Sequence, residues 1–174
     1  MTIFIIGADR CGKSTAAQYL AEALGCDYAE TGRLVTQILA QLTAESFGRP
    51  ESAAACARMF SNFKEDCREA LSTLGDQIAE FAPTFLMDVC SVFSKIVVGV
   101  RRRREALAYI ESCSPENCDS IWIKIVAPQP PLPNSRYELH SLPCDYEVIN
   151  DGSLADLQRK MHALAQIIRS KSAA

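Results

Sequence analysis

The chain is poor in the residues that mark several large functional classes. Among 174 residues it has two histidines, His140 and His162, and its eight cysteines include no C-x-x-C pair. The ligand spacings of a zinc site and of a dithiol redox motif are therefore both missing. A basic excess is missing too. Lys and Arg number 18 against 21 Asp and Glu, for a net charge of −3, which argues against nucleic acid as a partner. No apolar run approaches the roughly 20 residues that span a bilayer. The first one, Ile3-Phe4-Ile5-Ile6, is too short for the apolar core of a secretory signal. These shortages lead to an expected cytoplasmic protein with neither membrane nor nucleic acid as partner. Most cysteines fall within apolar patterns, read as small buried hydrophobes and fit a reducing compartment. What remains is ordinary globular composition, 48% apolar and 22% charged, in a length that suits one domain with a full core.

Against that background one stretch stands out. Gly7-Ala8-Asp9-Arg10-Cys11-Gly12-Lys13-Ser14, followed by Thr15, satisfies G-x-x-x-x-G-K-[ST] at every fixed position. It follows the apolar run 3–6 and precedes Ala16, Ala17, Leu20, Ala23 and Leu24 at helical spacing, ended by Gly25. Strand, glycine loop and helix is the context that separates a phosphate-binding loop from a glycine turn that merely caps a helix. Loop N–H groups wrap a phosphate chain, and the helix N-terminus adds positive potential at the same point. Lys13 supplies a full charge to the outer phosphates, and the Ser14 hydroxyl suits Mg²⁺. Cys11, beside that helix start and Lys13, is expected to have a lowered pKa and to be sensitive to alkylation.

Further strands are expected at 26–29, 95–100, 121–126 and 146–149, where Trp122 is core. Apolar spacing predicts a helix over 34–42. It then predicts one long helix carrying Phe60, Phe63, Cys67, Leu71, Leu74 and Ile78, with a bend at Gly75. A short helix follows at Phe85, Leu86 and Val89, then one over 105–112 with Leu107 and Ile110 turned inward. A closing helix is capped by Ser153 with Asp156, its stripe being Leu154, Leu157, Met161, Leu164 and Ile168. The proline-rich residues 128–135 read as a rigid surface connection and the two histidines as structural. Strands alternating with helices predict an α/β, three-layer P-loop NTPase fold, about five parallel strands with helices on both faces. In such a fold ligands bind beyond the carboxyl ends of the strands. Glu30-Thr31-Gly32-Arg33-Leu34 and Val97-Val98-Gly99-Val100-Arg101 therefore join the phosphate loop at one crevice. Phosphoryl transfer between two phosphates requires positioning and charge neutralisation, which arginines supply. It needs no general base, because the acceptor oxygen is already largely ionised.

These stretches resemble the nucleoside monophosphate kinase group of P-loop proteins. Thr31-Gly32 is similar to the threonine–glycine pair that adenylate kinases use around the acceptor nucleotide. Val100-Arg101, then Glu105, and later Ile149-Asn150-Asp151-Gly152-Ser153-Leu154 resemble bacteriophage deoxynucleoside monophosphate kinases. The likeness covers residues 3–34, thins over 68–108 and 147–161, and is absent over roughly 43–60 and 112–135. It implies ATP-dependent phosphoryl transfer to a nucleoside or deoxynucleoside monophosphate, with ATP and Mg²⁺ as cofactors, by a monomer or homodimer. It further implies one kinase domain over 1–174, with a helical acceptor-binding insertion over roughly 31–92 and a short basic lid over roughly 101–118.

Residue by residue, the resemblance implies that Gly7 to Thr15 hold ATP, with Ser14 on the metal. Lys13, Arg101 and Arg68 are the catalytic candidates. Thr31, Gly32, Arg33, Arg68, Arg101 and Arg102 are the acceptor contacts, and Asn150, Asp151 and Gly152 line the donor base. Plainer readings stand beside these: Thr31 as a helix N-cap, Arg68 as surface, Glu105 as the partner of a neighbouring arginine. Arg101-Arg102-Arg103-Arg104 read most simply as a solvated helix start, although four like charges at the positive end of a helix repel unless a phosphate offsets them. Gly99 stands where related kinases often carry an aspartate that orients Mg²⁺ through water, and Asp9, Asp27 and Glu30 are the carboxylates available to replace it. That departure keeps a non-catalytic nucleotide-binding protein open. A P-loop kinase of another small metabolite, of the dephospho-coenzyme A or shikimate type, is the other alternative. No Asn-Lys-x-Asp guanine motif is present, which counts against a GTPase switch.

Overall fold

Alternate residues of Ile3-Phe4-Ile5-Ile6 face opposite ways, and all four are fully buried, so both sides of this strand must be covered. A computed structural model shows how, describing residues 1–63, 66–113, 119–128 and 138–172. Cys118, the end of the expected lid and nearly all of the proline-rich stretch lie outside the described residues, as does the side chain of His140.

In chain order the elements are β1 (Thr2–Gly7), α1 (Lys13–Leu24), β2 (Tyr28–Glu30), α2 (Thr31–Ser46), α3 (Ala53–Asn62), α4 (Arg68–Phe81), α5 (Phe85–Phe93), β3 (Ile96–Val98), α6 (Arg103–Ser112), β4 (Ser120–Val126), β5 (Tyr146–Ile149) and α7 (Leu154–Ser172). The sheet runs β2-β3-β1-β4-β5, parallel throughout, with Ile5 opposite Val98 on one side and Ile123 on the other. On one face Ile3, Ile5, Ile96 and Ile123 meet Ala16 and Leu20 of α1 and Leu157, Met161 and Ile168 of α7. On the other, Phe4, Val97 and Trp122 meet Met87 and Cys90 of α5 and Ala106 of α6. Phe4 stacks on Trp122 with ring centroids 4.5 Å apart and meets Tyr109 edge-on at 4.7 Å. This is the expected three-layer α/β fold. Helices α2 to α5 pack on one another beside β2 and β3, within the stretch expected to hold the acceptor. Among the described residues no helix is long and apolar enough to cross a membrane.

Several local expectations need correction. The single long helix is two, α3 and α4, and Gly75 lies unbroken inside α4. A Cys67 N–H to Phe63 carbonyl bond of helical spacing (3.0 Å) keeps the apolar steps in phase across the join, so periodicity alone could not reveal it. Leu107 and Ile110 are about a third exposed and Leu154 is two-thirds exposed (36%, 38% and 66%); it is Ala106 that turns inward. The strand expected over 95–100 is shorter, Ile96–Val98. Of the described cysteines, only Cys11 and Cys90 are buried, and the other five are half-buried. His162 is exposed on α7.

Candidate active site at the carboxyl ends of the strands

The glycine loop turns the chain from β1 into α1 through three residues of positive φ, Gly7 at 155°, Arg10 at 63° and Gly12 at 93°. Arg10 is the one non-glycine of that kind among the described residues. At Gly12 a side chain is doubly excluded, since a methyl there would stand 2.6 Å from the Asn150 amide nitrogen. The Lys13 ammonium reaches back across the loop and donates to the Ala8 carbonyl. Burial holds its pKa below the usual lysine value and the nearby Arg101 pushes the same way, opposed by Cys11, Asp9 and Glu30. An ammonium so placed gains from the arrival of phosphate charge.

Beyond the loop opens a cleft of about 340 Å³. Asp9, Arg10, Lys13 and Ser14 of the glycine loop line it together with Glu30, Thr31 and Gly32 after β2, Arg68 of α4, and Arg101 and Glu105 around the start of α6, while Val35, Leu71 and Leu86 add apolar surface. The loops after β1, β2 and β3 thus converge, as the strand order requires. Arg68 is the first residue of α4. Thr31 opens α2 and is 6% exposed, while the N-cap position belongs to Glu30. Arg33 is exposed on α2 and does not line the cleft. Asp27 lies in a separate shallow concavity with Gln18 and Glu22, which leaves Asp9 and Glu30 as the carboxylates facing Lys13.

Asn150 sits behind the loop, its Nδ2 donating to the Cys11 carbonyl at 3.0 Å. Asp151 pairs with Lys160 at 2.9 Å, and Gly152 lies against Asp156; none of these three lines the cleft. Cys11 differs from the expectation. Its thiol is 3% exposed, and burial pushes its pKa up, against a smaller lowering influence from Lys13. The thiol points under the loop toward Gly7, so desolvation outweighs the helix start and the neighbouring ammonium.

The arginine run divides by partner. Arg102 places Nη2 and Nε 2.8 and 3.2 Å from Asp76 Oδ1 and Nη1 2.6 Å from Glu138 Oε1. Its guanidinium is therefore committed to two carboxylates at the cleft wall. Arg103 reaches the Ser141 hydroxyl at 3.3 Å and Arg104 the Asp76 carbonyl at 3.3 Å. Arg101 is exposed, lines the cleft and has no protein acceptor for its guanidinium among the described residues. Glu105 takes the main-chain N–H of Arg102 at 2.9 Å and of Arg101 at 3.4 Å, closing a capping box at the start of α6. Burial raises its pKa, and those two N–H bonds oppose the rise.

No protein-family model matches the chain, and no curated protein matches it.

The significance of the site therefore rests on its geometry. Gly99 explains its own identity. Its φ is +106°, and a methyl there would stand 2.5 Å from Thr31 Oγ1. The Thr31 side chain occupies the room that an acidic residue at position 99 would need. No motif signalled this contact, the Asp76–Arg102–Glu138 brace or the Asn150 bond, because each joins segments far apart in the chain. Among the described residues no cluster of three or more His, Cys, Asp or Glu is arranged to hold a metal. Oxygen donors facing the cleft (Ser14, with Asp9 and Glu30 nearby) suit a Mg²⁺ that keeps its waters and takes its other ligands from phosphates. The loop, with open N–H groups and Lys13, suits a triphosphate in the same way.

Proposed function

We propose that this chain transfers a phosphoryl group from ATP to a nucleoside or deoxynucleoside monophosphate. One observation carries the reading. The phosphate loop with Lys13 and Ser14 shares one cleft with Arg68 and Arg101, and Val35, Leu71 and Leu86 give that cleft apolar lining. Cations from separate elements fit two phosphate groups to be brought in line, and apolar lining fits a stacked base. Ser14, with Asp9 or Glu30 through water, would hold the Mg²⁺ that screens the phosphates. Lys13 and Arg101 would neutralise charge on the group in flight.

The test is release of ADP from Mg-ATP in the presence of each common nucleoside and deoxynucleoside monophosphate, for wild type and Lys13→Ala. Acceptor-dependent release that falls by about 10²–10³-fold in the variant is the expected result. Equal background rates in both proteins, whatever the acceptor, would refute the kinase reading. Thermal stabilisation by the same panel identifies the acceptor by mass action. A chain stabilised by ATP and by no nucleoside monophosphate would belong with kinases of other metabolites.

A further inference from the structure

We infer that Asn150 is a positioning residue for the phosphate loop, acting on the orientation of one peptide group; the inference rests on the loop's binding a polyphosphate. Its side-chain Nδ2 donates to the Cys11 carbonyl at 3.0 Å. The peptide that joins Cys11 to Gly12 is trans, since no cis bond occurs among the described residues, and it is planar. The Gly12 N–H therefore points away from the side on which Asn150 holds the carbonyl. Holding one end of the plane sets the other.

That N–H is free to be used. Gly12 is the N-cap of α1, where main-chain donors have no partner inside the helix, and no protein acceptor takes it among the described residues. The next peptide plane is fixed independently, because Ala16 N–H donates to the Gly12 carbonyl at 2.9 Å. Gly12 is thus pinned on both sides at a φ of 93° with its own donor left for a ligand.

Asn150 is firmly mounted for this task. Its main-chain N–H donates to Val126 at the end of β4 (2.7 Å). Lys160 of α7 holds the flanks, donating to the Ile149 carbonyl at 2.6 Å and to Asp151 at 2.9 Å. An amide is the required group, because a carboxylate of the same shape would set an acceptor against the Cys11 carbonyl. A preorganised donor spares the ligand the cost of ordering the loop.

The experiment compares wild type, Asn150→Ala and Asn150→Asp in the full chain. It measures calorimetric affinity for Mg-ATP and for inorganic tripolyphosphate, and the KM values for ATP and for the acceptor. Loss of one loop-fixing hydrogen bond predicts about 3–10-fold weaker binding in the alanine variant. The loss should be equal for ATP and tripolyphosphate, larger in the aspartate variant, and should leave the acceptor KM within about twofold. Loss for ATP with tripolyphosphate unaffected would overturn the inference, since it would place Asn150 against the base. Unchanged affinity in both variants would overturn it as well. In wild type alone, the Gly12 amide resonance must move when tripolyphosphate is added, and a stationary signal despite binding refutes the assignment without any variant. A wild type that binds neither ligand would instead sink the phosphate-loop reading itself.

Discussion

Replacing Gly99 tests the geometry of the cleft directly. Two costs add. A residue with a Cβ at φ +106° is strained by about 1–3 kcal/mol. Its methyl would also begin 2.5 Å from Thr31 Oγ1, and overpacking of that kind costs about 1–3 kcal/mol. Gly99→Ala should therefore lose roughly 2–6 kcal/mol, or roughly 4–24 °C in Tm for a chain of this size. Gly99→Asp should lose at least as much and, under the proposed function, gain no transfer activity, although it supplies an acid where the kinases that the sequence resembles often carry one. The two contributions separate in a double-mutant cycle with Thr31→Ala, which removes the hydroxyl and leaves the backbone strain. A coupling of about 1–3 kcal/mol is expected between the two sites, read from urea melts of the four proteins. Gly99→Ala melting with wild type, or a coupling of zero, would refute the account. So would an aspartate variant that transfers phosphate faster than wild type.

Two further outcomes follow from neighbouring side chains. Arg102→Ala should cost about 1–3 kcal/mol in denaturant melts. That cost is kept below the value of a deeply buried pair because Arg102, Asp76 and Glu138 are 21%, 33% and 46% exposed and screened by solvent. Arg102→Lys should recover less than half, since an ammonium cannot reproduce the fork that spans both carboxylates, and equal stability of all three proteins would show the brace to be inert. Glu105 gives a pH signature. Its folded pKa is raised by burial, so its contribution is full below the ordinary carboxylate pKa of about 4.3 and is lost as pH rises through the folded value. The Tm of wild type relative to Glu105→Gln should therefore fall between pH 4 and pH 7. A difference that moves in favour of wild type over that interval would show that the two main-chain N–H bonds outweigh burial.

The sheet was legible because its signals are local. A β-branched or apolar run bounded by glycine marks β1 and β3, Gly25 ends α1 in the left-handed conformation, and Ser153 with Asp156 caps α7 through bonds of 2.7 to 3.2 Å. Periodicity failed where it carries no information about partners. Leu107 and Leu154 sit at helical spacing yet face solvent, because spacing records which residues share a face and not whether another element covers it. The break between α3 and α4 was hidden for the related reason that the apolar steps continue in phase across it. Cys11 was misjudged by weighing two lowering influences, the helix start and Lys13, without the burial that dominates both.

The arginine run shows why the cleft was only half legible. Four adjacent guanidinium groups at the start of α6 pose an electrostatic problem that sequence alone can state and cannot divide. One solution is a bound anion; another is carboxylates brought from elsewhere. Both are present, on different residues. Asp76 from α4 and Glu138, 36 residues beyond Arg102 in the chain, take up Arg102, and Glu138 is itself anchored by its N–H to the Arg101 carbonyl at 2.9 Å. Neutralising the second arginine in this way fixes the main chain that carries the first. It leaves Arg101 as the cation of the run nearest Lys13 with no counter-charge for its guanidinium among the described residues, and burial with this like charge lowers the lysine pKa. Two cations held near each other at a cleft wall raise the free energy of the empty site. An anion between them recovers that energy, and so would be bound more tightly than the contact distances alone imply.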